Sequence, residues 1–348
     1  MQILSGDIGG TNIRLAILSP RAGGGFDTLH STKVRNRDYA SLEDAVADFL
    51  TAESIDVQDC PLAGFGIAGP VIDGVCEGTN FPWKVDTRSV QQRLGFEHVE
   101  LLNDLEALGY GLAVLDDAEL ETLHGGTPRP GNAAVIAAGT GLGQTGLFFD
   151  GADYHPFATE GGHTNFGPRN DLEEALLRFV RDDRLGGGRV SWERLVSGMG
   201  VVNLYAFLLD FRRAEPCAEL RDVLSHQPSH ADPAAAIARA ADDGRCPIAD
   251  EALELFAELY GAEAGNLALK LMAVSGVYLG GGIAPKMLNR LRGPRFHDAF
   301  CDKGRMRPVL EAIPVRVVLD SERAALVGAG RRTLQSRWNV RRLDAIRS

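Results

Sequence analysis

Short apolar runs separated by polar, glycine-rich turns recur along the first third of the chain. The runs lie at residues 2–5, 13–18, 62–68 and 99–102. Their lengths and bounding turns predict buried strands. The segment 41–53 instead spaces its apolar residues as on one face of a helix, and Ser41 with Asp44 gives it a start like a capping box. Strands that alternate with helices predict an α/β fold.

A second set of elements repeats this arrangement from about residue 133. There AAVIAAGTGLGQTGLFF places a glycine-threonine turn between two apolar runs, as LSGDIGGTNIRLAIL does at residues 4–18. This internal similarity predicts a duplicated α/β unit with a shared nucleotide cleft. From about residue 171 the pattern is mostly helical, with Asp171 and Glu174 opening one helix and a long apolar-periodic stretch over 249–273. We expect this helical part to belong to a larger second lobe.

Length and composition fit an ordinary globular protein with two domains. The chain has 348 residues, of which 45% are hydrophobic and 24% charged. With 36 basic and 47 acidic residues, the net charge is -11, so we expect neither a nucleic-acid partner nor an anionic membrane surface. No apolar run approaches the roughly 18 residues of a membrane span, and the N-terminus lacks the apolar core of a signal peptide. These features predict a soluble protein that is not exported.

The five cysteines, at positions 60, 76, 217, 246 and 301, are scattered along the chain. They form no C-x-x-C pair and have no metal-ligand spacing. This usage fits a reducing cytosol and predicts a cytoplasmic location.

The first glycine turn has the composition of a phosphate-binding loop. Gly9 and Gly10 allow a sharp bend and a close approach to phosphate, while Thr11 and Asn12 supply side-chain donors. Asp7 stands beside the turn, where one carboxylate suffices for a magnesium ion that keeps most of its water ligands. The alternative is an ordinary tight hairpin with solvated polar residues.

The second turn also matches a dinucleotide-binding pattern. Gly141, Gly143 and Gly146 fit G-x-G-x-x-G, and Glu160 lies about 20 residues on, where a ribose-binding acid is expected. That pattern requires a helix after the turn, whereas the following LFFDGADYH predicts the return strand of a hairpin. A dehydrogenase therefore stays as an alternative that a helix after residue 145 would support.

The third glycine cluster lies in VYLGGGIAPKM at residues 277–287. Three glycines follow an apolar run and precede a helical segment that Pro285 can begin. Such a turn suits adenosine packed against backbone, although a strand-to-helix connection without a ligand has the same composition. No G-x-x-x-x-G-K-[ST] occurs, so the chain is not a P-loop enzyme.

Asp104 is the candidate for activating a second substrate. It follows an apolar strand at the start of a helix, and ligands gather at the carboxyl ends of strands in open α/β sheets. A carboxylate there can accept a hydroxyl proton as that oxygen attacks a phosphoryl group. Its alternative role is that of helix N-cap. Asn103 offers both a donor and an acceptor, which suits a sugar hydroxyl.

Two further segments carry acids that can bind sugar hydroxyls. In TEGGHTNFGP, two glycines separate Glu160 from His163 and bring the backbone close to whatever those side chains hold. A metal site is disfavoured because two ligands stand without a third nearby, and a surface loop is the other alternative. In SWERLVSGMG, Glu193 is predicted in the first turn of a helix capped by Ser191, where its carboxylate can instead stabilise the helix dipole.

Taken in order, these motifs resemble the bacterial glucokinase family, the ATP-dependent group within the hexokinase and actin-like superfamily. The resemblance covers roughly residues 2–335. The segments similar to its two phosphate motifs and its adenosine motif are GDIGGTN at 6–12, GTGLG at 139–143 and LGGGIAPK at 279–286. Those similar to its sugar-contacting segments are ND at 103–104, EGGH at 160–163 and ERLVSG at 193–198.

The resemblance implies a two-lobed actin-like, ribonuclease H-like fold, in which duplicated α/β domains have a nucleotide and sugar cleft between them. We assign residues 1–112 with about 318–348 to the small domain and residues 113–317 to the large one. The implied activity is transfer of the γ-phosphoryl group of MgATP to the 6-hydroxyl of glucose, by a cytoplasmic homodimer that serves glycolysis. A kinase for another hexose and a nucleotide-gated sugar sensor without catalysis are the alternatives.

The resemblance also implies the roles of individual residues, with Asp104 as the base and Asp7 at magnesium. The implied hexose contacts are Asn80, Asn103, Asp104, Glu160, His163 and Glu193. The implied nucleotide contacts are Gly9, Gly10, Thr11, Asn12, Gly139, Thr140, Gly141, Gly280, Gly281 and Gly282. Met199 departs from the family, which usually has proline there, and the cysteine-rich zinc motif of the related repressor and sensor group is missing, so zinc is not expected. The tail after about residue 335 receives no function.

Overall fold

The structure is a computed structural model that describes residues 2–22, 24–77, 83–224 and 232–347. Asn80, which the resemblance assigns to the sugar, lies outside the described residues. The described chain forms two compact units. The first comprises the residues up to Leu120, Ala152–Ala158 and the residues from Asp320 onward, and the second comprises Glu121–Gly151 and Thr159–Leu319. The domain boundaries assigned at 112 and about 318 stay a prediction, because compact contacts do not show which piece folds independently.

Both units combine strands with helices, and several of the strands follow one another directly in the sequence. The strands are β1 (Ile3–Ile8), β2 (Asn12–Pro20), β3 (Phe26–Arg35), β4 (Leu62–Ile67), β5 (Val75–Glu77), β6 (Lys84–Asp86), β7 (His98–Asn103), β8 (Leu120–His124), β9 (Ala133–Ala138), β10 (Leu142–Phe149), β11 (Tyr154–Thr159), β12 (Gly276–Gly280) and β13 (Val315–Val318). The α-helices are α1 (Leu42–Ala52), α2 (Thr87–Leu94), α3 (Asp104–Leu112), α4 (Asp171–Phe179), α5 (Gly198–Arg212), α6 (Pro233–Asp242), α7 (Pro247–Leu271), α8 (Leu288–Leu291), α9 (Pro294–Cys301), α10 (Arg307–Ala312) and α11 (Ser321–Arg347).

The two main sheets repeat one strand order. The first runs β3-β2-β1-β4-β7, with β1 antiparallel to β2 and parallel to β4. The second runs β11-β10-β9-β12-β13-β8, with β9 antiparallel to β10 and parallel to β12. The second sheet therefore has the order of the first plus one edge strand, β8. This repetition confirms the predicted duplication of an α/β unit.

The predicted elements of the first unit are confirmed, and the absence of one of its long strands from the prediction has a physical reason. The four predicted strands of the first unit are β1, β2, β4 and β7, and α1 begins after Ser41, whose hydroxyl accepts a hydrogen bond from the Asp44 amide at 3.2 Å. The pattern missed β3, an edge strand in which only Phe26 is buried, so apolar residues do not mark it. In the second unit, β10 returns antiparallel along β9 where a dinucleotide site needs a helix, which excludes the dehydrogenase.

The cysteines correct one expectation. Cys217 and Cys246 form a disulfide, whereas Cys60, Cys76 and Cys301 are buried free thiols. The two half-cystines are 29 residues apart and meet through the packing of the helices of the second unit, so their spacing carried no signal. Cysteine usage consequently no longer supports a reducing compartment. Separately, no helix in the described ranges is both long and apolar enough to cross a membrane.

Glycines bring α3 and α11 into backbone contact in the first unit. A Cβ on Gly328 would lie 1.8 Å from the carbonyl oxygen of Ala107, and one on Gly111 would lie 2.0 Å from that of Ala324. Neither carbonyl can yield, because each belongs to a helix backbone. The close contact fixes α3, the helix that begins with Asp104.

Gly328→Ala is therefore expected to destabilise the protein by about 3 kcal/mol, because α3 and α11 must separate to admit the methyl group. Urea unfolding measures the change. Gly330→Ala on the same helix is the matched control: its Cβ would approach the movable Leu18 side chain at 2.9 Å, so the expected cost is below about 1 kcal/mol. Equal costs in the two variants would contradict this account of the contact.

Candidate active site

Three parallel strands of the first unit end in one row. Ile8 of β1 pairs with Ile67 of β4, which pairs with Asn103 of β7. The first glycine turn and Asp104 therefore leave the sheet at the same edge, where α/β proteins bind ligands. The structure thus brings together the phosphate turn and the base that were predicted from separate segments.

The first glycine turn is held by a residue that sequence analysis missed. The Gly9 amide donates to the Asn12 carbonyl at 3.0 Å, and Asn36 binds the turn twice, through Nδ2 to the Gly9 carbonyl at 2.6 Å and through its amide to the Thr11 carbonyl at 3.0 Å. Asn36 is buried, and its Oδ1 has no hydrogen-bond partner in the described part of the chain. Gly10 and Thr11 are exposed, as a phosphate contact requires. No signal marked Asn36, because it follows the unpredicted strand β3.

Asp7 is largely buried beside this turn and is paired with an arginine. Arg14 Nη1 donates to Asp7 Oδ2 at 2.9 Å, and the same guanidinium contacts Glu322 of α11. Burial raises the pKa of Asp7, and the charge of Arg14 opposes that rise. Among the described residues, no group of three or more histidine, cysteine or acidic side chains is arranged to hold a metal. One carboxylate fits a magnesium ion held mainly by phosphates and water, and does not fit an ion held by a protein cage.

Asp104 is the first residue of α3, and its neighbour caps the helix. Asn103 Oδ1 accepts from the Leu105 amide at 3.0 Å, and Glu106 accepts from the Asn103 amide at 3.2 Å, which completes a capping box. The alternative that Asp104 is the N-cap is therefore wrong, although its Oδ1 also accepts from the Leu105 amide at 2.9 Å. The N-terminal end of the helix dipole stabilises its negative charge. The Asn103 amide nitrogen also binds the carbonyl of Gly69 at 3.2 Å.

The second and third glycine turns meet in the second unit, at the end of β9. Gly281 has a φ of 81°, and a Cβ there would lie 2.3 Å from the Ala138 carbonyl oxygen. That carbonyl also accepts from the Ile283 amide at 3.2 Å. Immediately after Ala138, the Gly139 amide donates to Gly141 at 2.9 Å, and the Gly139 carbonyl accepts from Gly198 at 2.8 Å. The second turn is thereby attached to the start of α5.

A large cavity of about 1690 Å³ opens beside these two turns. Its polar lining includes Thr140, Lys286 and exposed glycine backbone, and its apolar lining comes from α5, α6 and the segment around Met287. Gly139 and Gly282 line the cavity, whereas Gly280 is buried within β12. Typical ligand cavities measure about 300–1,000 Å³, so this one has room for a whole nucleotide.

The cavity has one strongly charged wall, which sequence analysis also missed. Arg290 donates to Asp250 at 2.7 Å, to Glu254 at 3.1 Å and to Asp242 at 3.1 Å. It therefore links α6 to α7 across that wall. Nothing in the local sequence marks this cluster, because its members come from three separate helices.

Two carboxylates and a histidine that were predicted to bind the sugar lie close together. His163 Nε2 lies 3.8 Å from Glu160 Oε2, and His163 Nδ1 lies 3.9 Å from Glu193 Oε1. Glu193 is the most buried of the three, and its other oxygen accepts from the Leu142 amide at 3.1 Å. The side chains of Glu160 and His163 are 74% and 54% exposed, so they are open to a ligand. Three groups that donate to or accept from hydroxyls thus share one small surface.

The local structure around Glu193 differs from the prediction. Glu193 lies in a short 3₁₀ turn, Trp192–Arg194, before which Ser191 makes no side-chain cap. The following helix, α5, begins only at Gly198 and is capped by Ser197. Glu193 therefore lies outside the first turn of α5, and its carboxylate does not stabilise the dipole of that helix. Met199, which replaces the usual proline, lies in the first turn of α5 and lines the cavity.

Two sheets with the same strand order, each with a glycine turn after its central strand, form the two-lobed actin-like ATPase fold, and the similar solved structures identify it as the fold of sugar kinases. The sequence profile of the glucokinase family matches residues 4–336. The chain belongs to the glucokinase family and is an ATP-dependent hexose kinase.

Individual relatives agree with the family match. The glucokinase of Nostoc punctiforme is 40% identical over 335 residues, covering 94% of this chain and 97% of the relative. The crystal structure of a glucokinase from an Antarctic psychrotroph is 30% identical, with a TM-score of 0.82 and coverage of 96% of this chain and 99% of that one. A glucokinase from Balamuthia mandrillaris in complex with glucose is 26% identical, with a TM-score of 0.69 and coverage of 94% and 92%.

Proposed function

We propose that the protein transfers the γ-phosphoryl group of MgATP to the 6-hydroxyl of glucose, giving glucose 6-phosphate and ADP. The observation that carries this proposal is that Asn103, and not Asp104, caps α3. This supports the proposal because Asp104 follows the end of β7 at the start of a helix that has another cap, and ligands in α/β proteins bind at that edge of the sheet. A carboxylate in that position can accept the proton of the attacking hydroxyl, which contributes roughly 100- to 10,000-fold.

The proposed sugar contacts use the hydrogen-bonding capacity of their side chains. Glu160 and Glu193 accept from hydroxyl groups, and His163, which lies within 4 Å of both, can donate or accept. The Asn103 amide retains a second N–H and a second lone pair for a hydroxyl beyond its bonds to Gly69 and Leu105. Asn80 is proposed on the resemblance alone.

The proposed nucleotide contacts divide between the glycine turns. Backbone amides and hydroxyls bind the phosphates, and the apolar lining of the cavity takes the base and ribose. The proposed contacts in the turns are Gly9, Gly10, Thr11, Asn12, Gly139, Thr140, Gly141 and Gly282, with Gly280 and Gly281 shaping the third turn. Magnesium, when bound with ATP, neutralises charge that develops on the phosphates, and Asp7 is the protein carboxylate proposed to orient it.

Sugar specificity and catalysis are tested together by ADP formation from MgATP with different sugars. We expect ADP release with glucose to be at least about tenfold higher than with mannose, fructose, N-acetylglucosamine or no sugar. A sugar whose hydroxyls are misplaced or replaced leaves polar groups of the closed site unpaired, which penalises it. Preference for another sugar would make the protein a kinase for that hexose. Nucleotide binding without sugar-dependent release would instead favour the sensor.

We further propose that the protein works as a cytoplasmic homodimer in glycolysis, without nucleic-acid or membrane partners. The resemblance supports the dimer and the compartment, and the net charge of -11 supports the exclusion of anionic partners. Sedimentation equilibrium tests the dimer, for which a mass near twice 37.4 kDa is expected.

A further inference from the structure

The second unit holds a carboxylate in its core that the reaction does not use. Glu263 of α7 is 0% exposed and accepts hydrogen bonds from Gln144 Nε2 at 2.8 Å and from Asn266 Nδ2 at 2.9 Å. Burial raises the pKa of Glu263, and these bonds oppose that rise. Burying a carboxylate is costly even when it is hydrogen-bonded, and an apolar side chain would often pack there at lower cost.

Glu263 fixes the orientation of its partner. Gln144, in β10, is 2% exposed. Gln144 Nε2 is the atom that faces Glu263, which as a carboxylate accepts its hydrogen bond, and Oε1 therefore faces away. Oε1 faces the Gly161 backbone, since a Cβ on Gly161 would lie 2.0 Å from it. The buried pair therefore reaches the turn that carries Glu160 and His163.

The same turn is held along β10 at further points. A Cβ on Gly162 would lie 1.9 Å from the carbonyl oxygen of Leu142. Thr159 Oγ1 donates to the Gln144 carbonyl at 3.0 Å and accepts from the Gly161 amide at 3.3 Å. The two glycines of the turn thus lie directly against β10, and Gln144 supplies both a main-chain and a side-chain contact.

We propose that Gln144 and Glu263 form a positioning pair for hexose binding, an inference that rests on the proposed function. Glu263 sets the direction of the Gln144 amide, and that amide sets the height of the Gly161 backbone above β10. The turn at Gly161 then presents the side chains of Glu160 and His163 to the sugar hydroxyls. Neither member of the pair touches the sugar.

The test compares steady-state kinetics of Glu263→Met, Glu263→Gln and Gln144→Met. The two methionine variants keep a similar side-chain length but remove the bond, so KM for glucose is expected to rise about tenfold, with KM for ATP unchanged and kcat altered less than about twofold. Glu263→Gln restores an acceptor and is expected to stay within about twofold of wild type. Because Gln144→Met removes the bond from the strand side, the test does not depend on the folding of one variant.

Tyr260→Phe is the matched control for a purely structural effect. It removes another buried hydrogen bond of α7, from the Tyr260 hydroxyl to the Ile136 carbonyl at 3.1 Å, without touching the turn. Its melting temperature is expected to fall, and its KM for glucose to match wild type. An unchanged KM for glucose in both methionine variants, or an equal rise in Tyr260→Phe, would overturn the inference.

Calorimetric titration with glucose separates this inference from the proposed function. Wild type that binds no glucose would contradict the proposed function and the positioning role together. Wild type that binds glucose, with the same Kd in both methionine variants, would contradict the positioning role alone. The expected result is a Kd about tenfold weaker in Glu263→Met and Gln144→Met.

Discussion

Asp104→Ala is expected to lower kcat by roughly 100- to 10,000-fold while the Kd for glucose changes less than about threefold. The reason is that, in the proposed function, the carboxylate accepts the hydroxyl proton during transfer, whereas most hydrogen bonds to the bound sugar come from the other proposed contacts. Coupled-assay kinetics measure kcat, and calorimetric titration measures the Kd. Asp104→Asn, which keeps the shape and loses the charge, is expected to show a similar loss.

A matched control distinguishes loss of the base from damage to a helix start. Asp86 also stands at the start of a helix in the first unit, where its Oδ1 accepts from the Arg88 amide at 2.9 Å and caps α2. Asp86→Ala is expected to cost about 1 kcal/mol of stability with kcat preserved. Near-normal turnover in Asp104→Ala would remove Asp104 as the base, and an equal kcat loss in Asp86→Ala would attribute the effect to folding.

The second large effect is expected from Gly281→Ala, with a rise in KM for ATP of about tenfold or more. The added Cβ would meet the Ala138 carbonyl oxygen at 2.3 Å, and the residue has a φ of 81°. Since Ala138 precedes the second glycine turn, the third turn must move away from the second and distort the cavity that we propose for the nucleotide. Overpacking of this kind costs about 1–3 kcal/mol, and each 1.4 kcal/mol is about tenfold in affinity.

The control for Gly281→Ala separates backbone strain from collision. Gly304 also has a positive φ, 54°, but a Cβ there would have no atom within 4 Å. Gly304→Ala is therefore expected to lower the melting temperature slightly through strain alone and to leave KM for ATP unchanged. A folded Gly281→Ala protein with the wild-type KM for ATP would show that the contact with Ala138 does not shape the nucleotide site.

The central strands could be predicted from the sequence because strands that are buried on both faces of a sheet form continuous apolar runs. LAGFGI in β4 and AAVIAA in β9 are buried at every position, and the second glycine turn follows directly after β9. The edge strand β3 faces solvent along most of its length and lacks that pattern. Asn36, placed just after β3, could not be recognised for the same reason.

Helix starts were predicted by residue type, but backbone geometry decides them. Asn103 and Asp104 are both good caps, and Asn103 caps α3 because it has the extended backbone, with a φ of -60° and a ψ of 148°. Likewise, Ser191 and Ser197 both precede apolar residues, and only Ser197 binds the first turn of the following helix. Neighbouring candidates of similar chemistry cannot be ranked without φ and ψ.

Contacts between distant segments could not be predicted from the sequence, for a different reason. The Cys217–Cys246 disulfide, the Arg290 cluster and the Glu263–Gln144 pair each join residues from separate elements. Their spacing follows from tertiary packing and has no local period. Glu160 and His163 were predicted from one segment and Glu193 from another, and the structure adds that His163 lies within 4 Å of both carboxylates.

Identification of the phosphorylated product tests the central claim most directly. The protein is incubated with MgATP and glucose labelled with carbon-13 at C6, and the product is followed by carbon and phosphorus NMR. The account predicts a phosphorus coupling at C6 and ADP formed in equal amount to the sugar phosphate. Phosphate at another carbon, or ADP formed without any sugar phosphate, would contradict it.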